Sequence, residues 1–257
     1  MERPDATFLR HLADAADRET LPRFRAGVGV DNKLSDAFDP VTEADRAAER
    51  AIVSAISARY PDHAILGEEY GASGASDRQW VIDPIDGTRA FISGVPVWGT
   101  LIGYCENARA ELGIMSQPFT GERYLADGSA AWCEHGGQRK ALSVHRTQGL
   151  EDATLFTTSP RLFQGDLLER FEALEARARL TRFGTDCYAY CMLAAGHVDL
   201  VVEAGLKPYD IVALIPIVEQ AGGIITTLSG GRAEGGGDIV AAATPALHAA
   251  ALEILAG

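Results

Sequence analysis

The sequence predicts a layered α/β or α+β protein, and the arrangement of its apolar residues supports this fold class. Short apolar runs typical of strands recur along the chain, mixed with longer stretches whose apolar residues have helical spacing. The two kinds of element do not alternate strictly, which disfavours a barrel of repeated strand–helix units. Apolar residues make up 47% of the 257 residues and charged residues 23%, which is ordinary for a globular protein.

The N-terminal part is expected to form two helices. Residues 5–25 carry Leu9, Leu12 and Ala16 at roughly helical spacing. Thr42 is placed to cap a second helix that runs to about Arg59.

The middle of the chain reads as strands, and the C-terminal half reads as mixed strands and helices. Strands are expected at residues 64–66, 79–82, 98–105, 110–117, 123–126, 131–133 and 140–143, with 98–105 and 110–117 forming a hairpin. In the C-terminal half we expect strands at 153–157, 198–202, 224–227 and 238–242, and helices at 166–177, 187–195, 209–220 and 245–255.

The charge balance excludes some functions. The 23 Lys and Arg residues against 36 Asp and Glu residues give a net charge of −13, which argues against a nucleic-acid partner. No apolar run approaches the ~18–20 residues of a membrane span, so no membrane partner is expected. The first residues lack the pattern of a signal peptide and the four cysteines form no CxxC pair, so we expect a cytoplasmic protein with reduced thiols.

Acidic residues follow the ends of predicted strands. Glu68 follows the run 64–66, Asp83 and Asp86 follow the run 80–82, and Asp210 lies at the start of a predicted helix. Because Pro84 fixes its own φ and favours an extended Asp83, the turn can direct both carboxylates and the Ile85 carbonyl to one point. Such oxygen ligands are those that Mg²⁺ prefers.

The residues that follow Asp86 are suited to bind an anion. Gly87 and Thr88 precede a predicted helical turn, and the start of a helix offers free N–H groups to a phosphate. The chain has no GxSxG, GxxxxGK[ST], HExxH or DxDxDG pattern, which leaves the acidic residues as candidates for a hard-metal hydrolase. Taken singly, each acidic residue has a plainer interpretation: a turn or helix cap for Asp83, Asp86 and Asp210, and a solvated side chain for Glu68 and Asp45.

Taken together, the motifs resemble those of the inositol monophosphatase family along nearly the whole chain. The matching stretches are Asp39 to Asp45, Gly67-Glu68-Glu69, Trp80 to Thr88, Tyr209-Asp210 and Glu219 to Gly223. The resemblance implies an αβαβα five-layer sandwich, a single domain over residues 1–257 and a homodimer. Its metal-site half would cover about 1–145 and its C-terminal α/β half about 146–257.

The resemblance also implies roles for individual residues. Glu68, Asp83, the Ile85 carbonyl, Asp86 and Asp210 would hold about two or three Mg²⁺ ions, which neutralise phosphate and leaving-group charge. Asp45, Thr88 and Glu68 would be catalytic, with Thr88 hydrogen-bonded to Asp45 while the two orient and activate the attacking water. Gly87, Thr88, Arg89, Asp186 and Glu203 would bind the substrate, a small phosphate monoester.

Within the family the chain is most similar to the histidinol-phosphate phosphatases. The segments that carry this similarity are residues 87–91, 94–100, 183–188 and 206–210, although Thr185 stands where that branch often has glycine. The substrate expected from this is L-histidinol phosphate, an intermediate of histidine biosynthesis. Two alternatives stay open: a phosphatase for inositol 1-phosphate or a range of sugar phosphates, and a regulatory protein that retains the fold to bind a partner.

Overall fold

The computed structural model describes residues 3–27, 30–32 and 40–256, and these residues form eight α-helices and fifteen strands. Asp39, the first residue of the motif that ends at Asp45, lies outside the described residues. The helices are α1 (Ala6–Thr20), α2 (Glu43–Arg59), α3 (Thr88–Ile92), α4 (Asp166–Glu175), α5 (Tyr188–Ala194), α6 (Pro208–Ile211), α7 (Leu214–Gln220) and α8 (Pro245–Ala256). The strands are β1 (Val30–Asn32), β2 (Pro40–Thr42), β3 (Ala64–Gly67), β4 (Gly71–Ser73), β5 (Arg78–Asp86), β6 (Gly99–Glu106), β7 (Arg109–Gln117), β8 (Glu122–Ala126), β9 (Ala131–His135), β10 (Gln138–Ala141), β11 (Thr154–Thr157), β12 (Leu180–Phe183), β13 (Leu200–Leu206), β14 (Ile224–Thr227) and β15 (Gly237–Ala242).

Two large sheets carry the fold. The first has eight strands in the order β10-β9-β8-β7-β6-β5-β3-β4, and its neighbours are antiparallel except for the parallel pair β3 and β5. The second has five strands in the order β12-β11-β13-β15-β14, with β11 parallel to both β12 and β13. A two-stranded antiparallel ribbon, β1 and β2, leads into α2.

The sheets and helices stack in five layers, αβαβα. Helices α1 and α2 pack on one face of the larger sheet, where Leu12 and Ile52 join Trp80 in one core cluster. Helices α5 and α7 lie between the two sheets, and α4 and α8 cover the far face of the smaller sheet. Along β5, Trp80 faces the outer helices and Val81 faces the middle layer, as the two-residue period of a strand requires. The layered α/β fold class is confirmed.

The sequence-based boundaries hold for several elements. The hairpin of β6 and β7 and the Thr42-capped helix α2 form where they were predicted. The prediction of one helix over 209–220 is wrong, because this segment divides into α6 and α7. Pro216 explains the break, since it has no N–H to bond the carbonyl of Val212 and its ring disfavours a continuous helix at that point.

No helix among the described residues is both long and apolar enough to cross a lipid bilayer.

Candidate active site

The end of β5 positions two of the predicted metal ligands. The pairing of β5 with β6 shifts register between Asp83 and Asp86, so the strand departs from regular geometry there. The Ile85 N–H donates to Oδ1 of Asp83 at 3.0 Å, and the Thr100 hydroxyl donates to the Pro84 carbonyl at 2.8 Å. These bonds fix the turn that directs the carboxylates towards the middle layer.

Asp210 completes a cluster of three carboxylates. It lies in the first turn of α6, where the Lys207 N–H donates to its Oδ2 at 2.6 Å. One carboxylate oxygen from each of Asp83, Asp86 and Asp210 lies within 4.8 Å of the other two. In the part of the chain that the structure describes, this is the only cluster of its kind.

The cluster is electrostatically unfavourable without a cation. Burial, then the neighbouring carboxylates of Glu68, Asp86 and Asp210, raise the pKa of Asp83 well above its usual range. Burial and the nearby carboxylates of Asp186 and Asp210 likewise raise the pKa of Asp86 well above its usual range. A divalent ion would reverse this effect, because it stabilises the ionised carboxylates. The all-oxygen donor set therefore fits Mg²⁺, and Asp83, Asp86 and Asp210 would hold it, with Glu68 beside them.

Glu68 is held in place by its backbone neighbours. It follows β3, and its N–H donates to the Ile82 carbonyl of β5 at 3.1 Å. The carboxylate of Glu49, which is 1% exposed on α2, accepts the N–H of Glu69 at 2.8 Å and that of Tyr70 at 3.1 Å. A Cβ atom on Gly67 would lie 1.8 Å from Oε1 of Glu49, so a side chain at position 67 would displace Glu49.

The expected hydrogen bond between Asp45 and Thr88 is absent, and that prediction is wrong. Oδ2 of Asp45 instead accepts from the N–H of Thr42 at 2.8 Å and from its hydroxyl at 2.6 Å, which forms the capping box of α2. The Thr88 hydroxyl donates to the Ile85 carbonyl at 3.0 Å. Oδ1 of Asp45 is buried and has no hydrogen-bond partner in the described part of the chain. Burial raises the pKa of this carboxyl, and the charge of Glu68 adds to the effect.

A cleft of about 620 Å³ opens above the carboxylate cluster. Most of the predicted site residues line it, namely Asp86, Gly87, Thr88, Arg89, Asp186, Glu203 and Asp210. The remaining four, Asp45, Glu68, Asp83 and Ile85, do not line the cleft. Gly87 has φ +80° at the start of α3, a left-handed conformation that glycine adopts without strain.

Asp186 and Glu203 place two further acids in the cleft. Asp186 has φ +43° and lies against Gly87, and burial raises its pKa to about 6 although Arg89 opposes the shift. Glu203 is 2% exposed in the middle of β13 and accepts from the Thr158 N–H at 2.6 Å and its hydroxyl at 2.9 Å. Burial raises the pKa of Glu203 to about 8 despite these hydrogen bonds.

Three residues of this region were missed by the sequence analysis. Thr158 binds Glu203, Glu49 binds the loop after Glu68, and Tyr190 lines the cleft. Helical spacing points to Glu49, which follows Asp45 by four residues and so lies on the same side of α2, although it does not reveal the contact with the loop. Tyr190 has no such signal, because Asp186, four residues before it, has a left-handed backbone and lies outside α5.

Comparison with known proteins agrees with this geometry. The sequence pattern described as "Inositol monophosphatase family" matches residues 2–256. The chain belongs to the inositol monophosphatase family. A solved structure titled as an inositol monophosphatase from Zymomonas mobilis superposes with a TM-score of 0.87 at 38% identity, covering 98% of this chain and 97% of that one. The family and fold inferred from the motifs are therefore confirmed.

The curated relatives of this family member carry several names. A histidinol-phosphatase of Mycobacterium tuberculosis is 37% identical over 94% of each chain. The bifunctional phosphatase IMPL2, chloroplastic, of Arabidopsis thaliana is 42% identical over 86% of this chain, but the match spans only 63% of that relative's length. A Nus factor SuhB of Pasteurella multocida is 35% identical over 82% of this chain and 80% of that protein.

Proposed function

We propose that this family member is a Mg²⁺-dependent phosphatase that hydrolyses L-histidinol phosphate to L-histidinol and phosphate, a step of histidine biosynthesis. One observation carries the proposal: Asp186 and Glu203 line the same cleft as Asp86 and Asp210 of the carboxylate cluster. The cleft therefore offers a metal-binding wall for the phosphate and separate acids for a cationic leaving group. The similarity to a histidinol-phosphatase supports the same substrate.

Bound Mg²⁺ would supply Lewis-acid stabilisation of the phosphate and of the attacking and leaving oxygens. The protein's own residues would orient the reactants. The Thr88 hydroxyl donates to the Ile85 carbonyl and keeps its lone pairs free to accept a hydrogen bond from the attacking water. The N–H groups at Gly87 and Thr88, at the start of α3, would bind phosphate oxygens.

Glu68 and Asp45 would act together beside the water. The Glu68 carboxylate, held by the loop that Glu49 anchors, would orient the water from the side of Asp83. Asp45 would act on Glu68 through its nearby charge rather than through Thr88, since its hydrogen bonds go to Thr42. This replaces the Asp45–Thr88 relay expected from the sequence.

The leaving group determines the choice of substrate. Histidinol carries an ammonium group, and among the residues that the structure describes, Asp186 and Glu203 are the acids lining the cleft outside the metal cluster. An ammonium group beside them would favour their ionised forms, so binding would release protons from groups whose pKa burial has raised. Arg89 is exposed at the cleft and would contact the phosphate.

The same geometry supports a second substrate class. Hydroxyl groups of an inositol or sugar phosphate can donate to Asp186 and Glu203 as well, and the Zymomonas mobilis relative is titled an inositol monophosphatase. A regulatory protein that only binds a partner is less well supported, because the complete carboxylate cluster has no purpose in such a protein.

The test is phosphate release from a panel of esters, measured with and without Mg²⁺ and with excess chelator. We expect L-histidinol phosphate to have the highest kcat/KM, and we expect chelator to stop turnover until Mg²⁺ is returned. A preference for inositol 1-phosphate would favour the second class, and full activity in chelator would contradict the metal chemistry. The absence of turnover on every ester would favour the regulatory alternative.

We further propose that the chain acts as one domain in the cytoplasm and as a homodimer. The cluster supports a single domain, because Asp83 and Asp86 lie in the first half of the chain and Asp210 in the second. The four free cysteines are compatible with a reducing compartment. Exposed Leu180 and Phe183 lie on β12, at the edge of the smaller sheet, and would suit a contact between two copies.

A further inference from the structure

Tyr190 places a buried hydroxyl without a partner at the wall of the cleft. The residue lies on α5 and is 2% exposed, yet it contributes to the lining of the cleft above the metal ligands. Its hydroxyl has no hydrogen-bond partner within residues 3–27, 30–32 and 40–256. Buried polar groups in folded proteins are almost always hydrogen-bonded, and an exception beside a cleft is explained by a partner that the cleft holds, such as a water or a ligand.

The charged neighbours of this hydroxyl are acids. The charged groups that act on it are the carboxylates of Glu203, Asp86 and Asp210. Glu203 already accepts two hydrogen bonds from Thr158, and Asp86 and Asp210 belong to the proposed metal cluster. Once a bound metal or an ammonium group has ionised these carboxylates, they only accept hydrogen bonds, whereas a phenol can still donate one. Tyr190 thus adds a neutral donor to a wall that otherwise attracts cations.

We propose that the Tyr190 hydroxyl is a specificity-determining group that binds the leaving group of the substrate. It would donate its proton to an acceptor atom there, while Asp186 and Glu203 bind a donor or a cation. The leaving group is therefore an alcohol that bears both an acceptor and a donor, such as an imidazole nitrogen with an ammonium group, or a set of hydroxyls. This inference rests on the proposed phosphatase function and specifies its substrate class.

The matched control lies on the same helix. Tyr188 is two residues away, and its hydroxyl donates to Oε2 of Glu122 at 2.5 Å, outside the cleft. Tyr190→Phe and Tyr188→Phe each remove one hydroxyl and keep the ring. The two variants differ in the place of the lost hydroxyl, which is beside the cleft for Tyr190 and at Glu122 for Tyr188. Thermal unfolding of both variants with Mg²⁺ would confirm that each is folded.

The experiment compares L-histidinol phosphate with phenyl phosphate, whose leaving group lacks an acceptor beyond the ester oxygen. For Tyr190→Phe we expect kcat/KM to fall about tenfold on L-histidinol phosphate. On phenyl phosphate it should stay within about twofold of the wild-type value. The Mg²⁺ concentration for half-maximal rate should not change, and Tyr188→Phe should resemble the wild type on both esters.

Equal losses on both esters would overturn the proposal, since the hydroxyl would then act on the phosphate, the metals or the scaffold. No loss on either ester would overturn it as well. If the wild type does not hydrolyse L-histidinol phosphate, the proposed substrate fails, and the comparison uses inositol 1-phosphate, whose hydroxyls also accept hydrogen bonds. A wild type that hydrolyses phenyl phosphate alone would contradict the Tyr190 proposal directly.

Discussion

The backbone N–H of Cys187 donates a 2.7 Å hydrogen bond to Oδ2 of Asp86. Asp86 ends a strand of the larger sheet, and Cys187 immediately precedes α5 in the middle layer. The neighbouring residues meet as well, because Asp186 lies against Gly87. The hydrogen bond directs Oδ2 of Asp86 towards the start of α5. It thereby joins the proposed metal site to the segment that carries Asp186 and Tyr190.

Replacing Asp83 by asparagine should abolish activity without unfolding the protein. Burial and neighbouring carboxylates raise the pKa of Asp83, so its ionised form is unfavourable when no metal is bound. The substitution removes this charge, and the metal-free variant should therefore unfold at a higher temperature than the wild type. Phosphate release should fall by at least about a hundredfold, because metal affinity depends on that carboxylate. Thermal unfolding with and without Mg²⁺ should show that the ion stabilises the wild type and not the variant. Near-wild-type turnover would contradict the metal assignment.

Replacing Glu49 by glutamine should increase the Mg²⁺ requirement. Each carboxylate oxygen of Glu49 accepts a hydrogen bond from a backbone N–H of the loop after Glu68. The glutamine side chain would replace one oxygen by an NH₂ group, which would face a backbone N–H as a second donor and lose that hydrogen bond. We expect the half-saturating Mg²⁺ concentration to rise about tenfold, with kcat recovered at high Mg²⁺.

The control for this substitution is Glu43→Gln on the same helix. Glu43 is exposed and pairs with Arg50, whose own contact with the loop goes to the Tyr70 hydroxyl rather than to the backbone N–H groups that Glu49 binds. This variant should leave the Mg²⁺ titration unchanged. A loss of kcat in Glu49→Gln that no Mg²⁺ concentration restores would mean that Glu49 does not act through metal binding.

Replacing Asp186 by asparagine should weaken the preference for a cationic leaving group. Asparagine tolerates the left-handed backbone at this position, so the fold should persist. We expect kcat/KM on L-histidinol phosphate to fall about tenfold and that on inositol 1-phosphate to fall less, because only the first loses an ion pair. Steady-state kinetics on the two esters measures this difference, and equal losses would remove Asp186 as a specificity residue.

The contribution of Glu203 to the free energy of unfolding should fall as pH rises. Burial raises its pKa to about 8, whereas an unfolded glutamate has a pKa of about 4.3. Between these values the folded protein holds a proton that the unfolded chain releases, so this residue's contribution to stability falls with increasing pH.

Urea unfolding of the wild type and Glu203→Gln at pH 5, 6.5 and 8 tests this effect. The stability of the variant relative to the wild type should rise by up to about 1.4 kcal/mol per pH unit across this range. Both proteins are compared at one Mg²⁺ concentration, so that the carboxylate cluster contributes equally. A difference that does not change with pH would show that Glu203 titrates normally.

Much of the site could be predicted because its signals are local. The proline between Asp83 and Asp86 and the strand before them predict a turn at the strand end, and the structure has that turn. Thr42 caps α2 as its position predicts. The clustering of Asp210 with the first two aspartates was inferred only from the family resemblance, because no local pattern relates residues so far apart.

The failures arose where tertiary contacts decide the outcome. Asp45 is the third residue of α2 and bonds its own cap, which leaves Thr88 to bond Ile85. Strand β12 was not predicted, because it is an edge strand with mostly exposed side chains and lacks the alternation of a half-buried strand. The role of Glu49 depends on a close approach to Gly67 that helical spacing does not reveal.

The third aspartate of the carboxylate cluster lies far from the other two in the sequence, which matters during synthesis of the chain. Asp83 and Asp86 are synthesised well before Asp210, so a nascent chain lacks the third carboxylate until most of the sequence has been translated. Strand β13, which leads to Asp210, also pairs with β15 near the C-terminus. Metal binding by the complete cluster would therefore come late in synthesis or after it, and a prematurely terminated chain would retain the aspartates of β5 without forming that cluster.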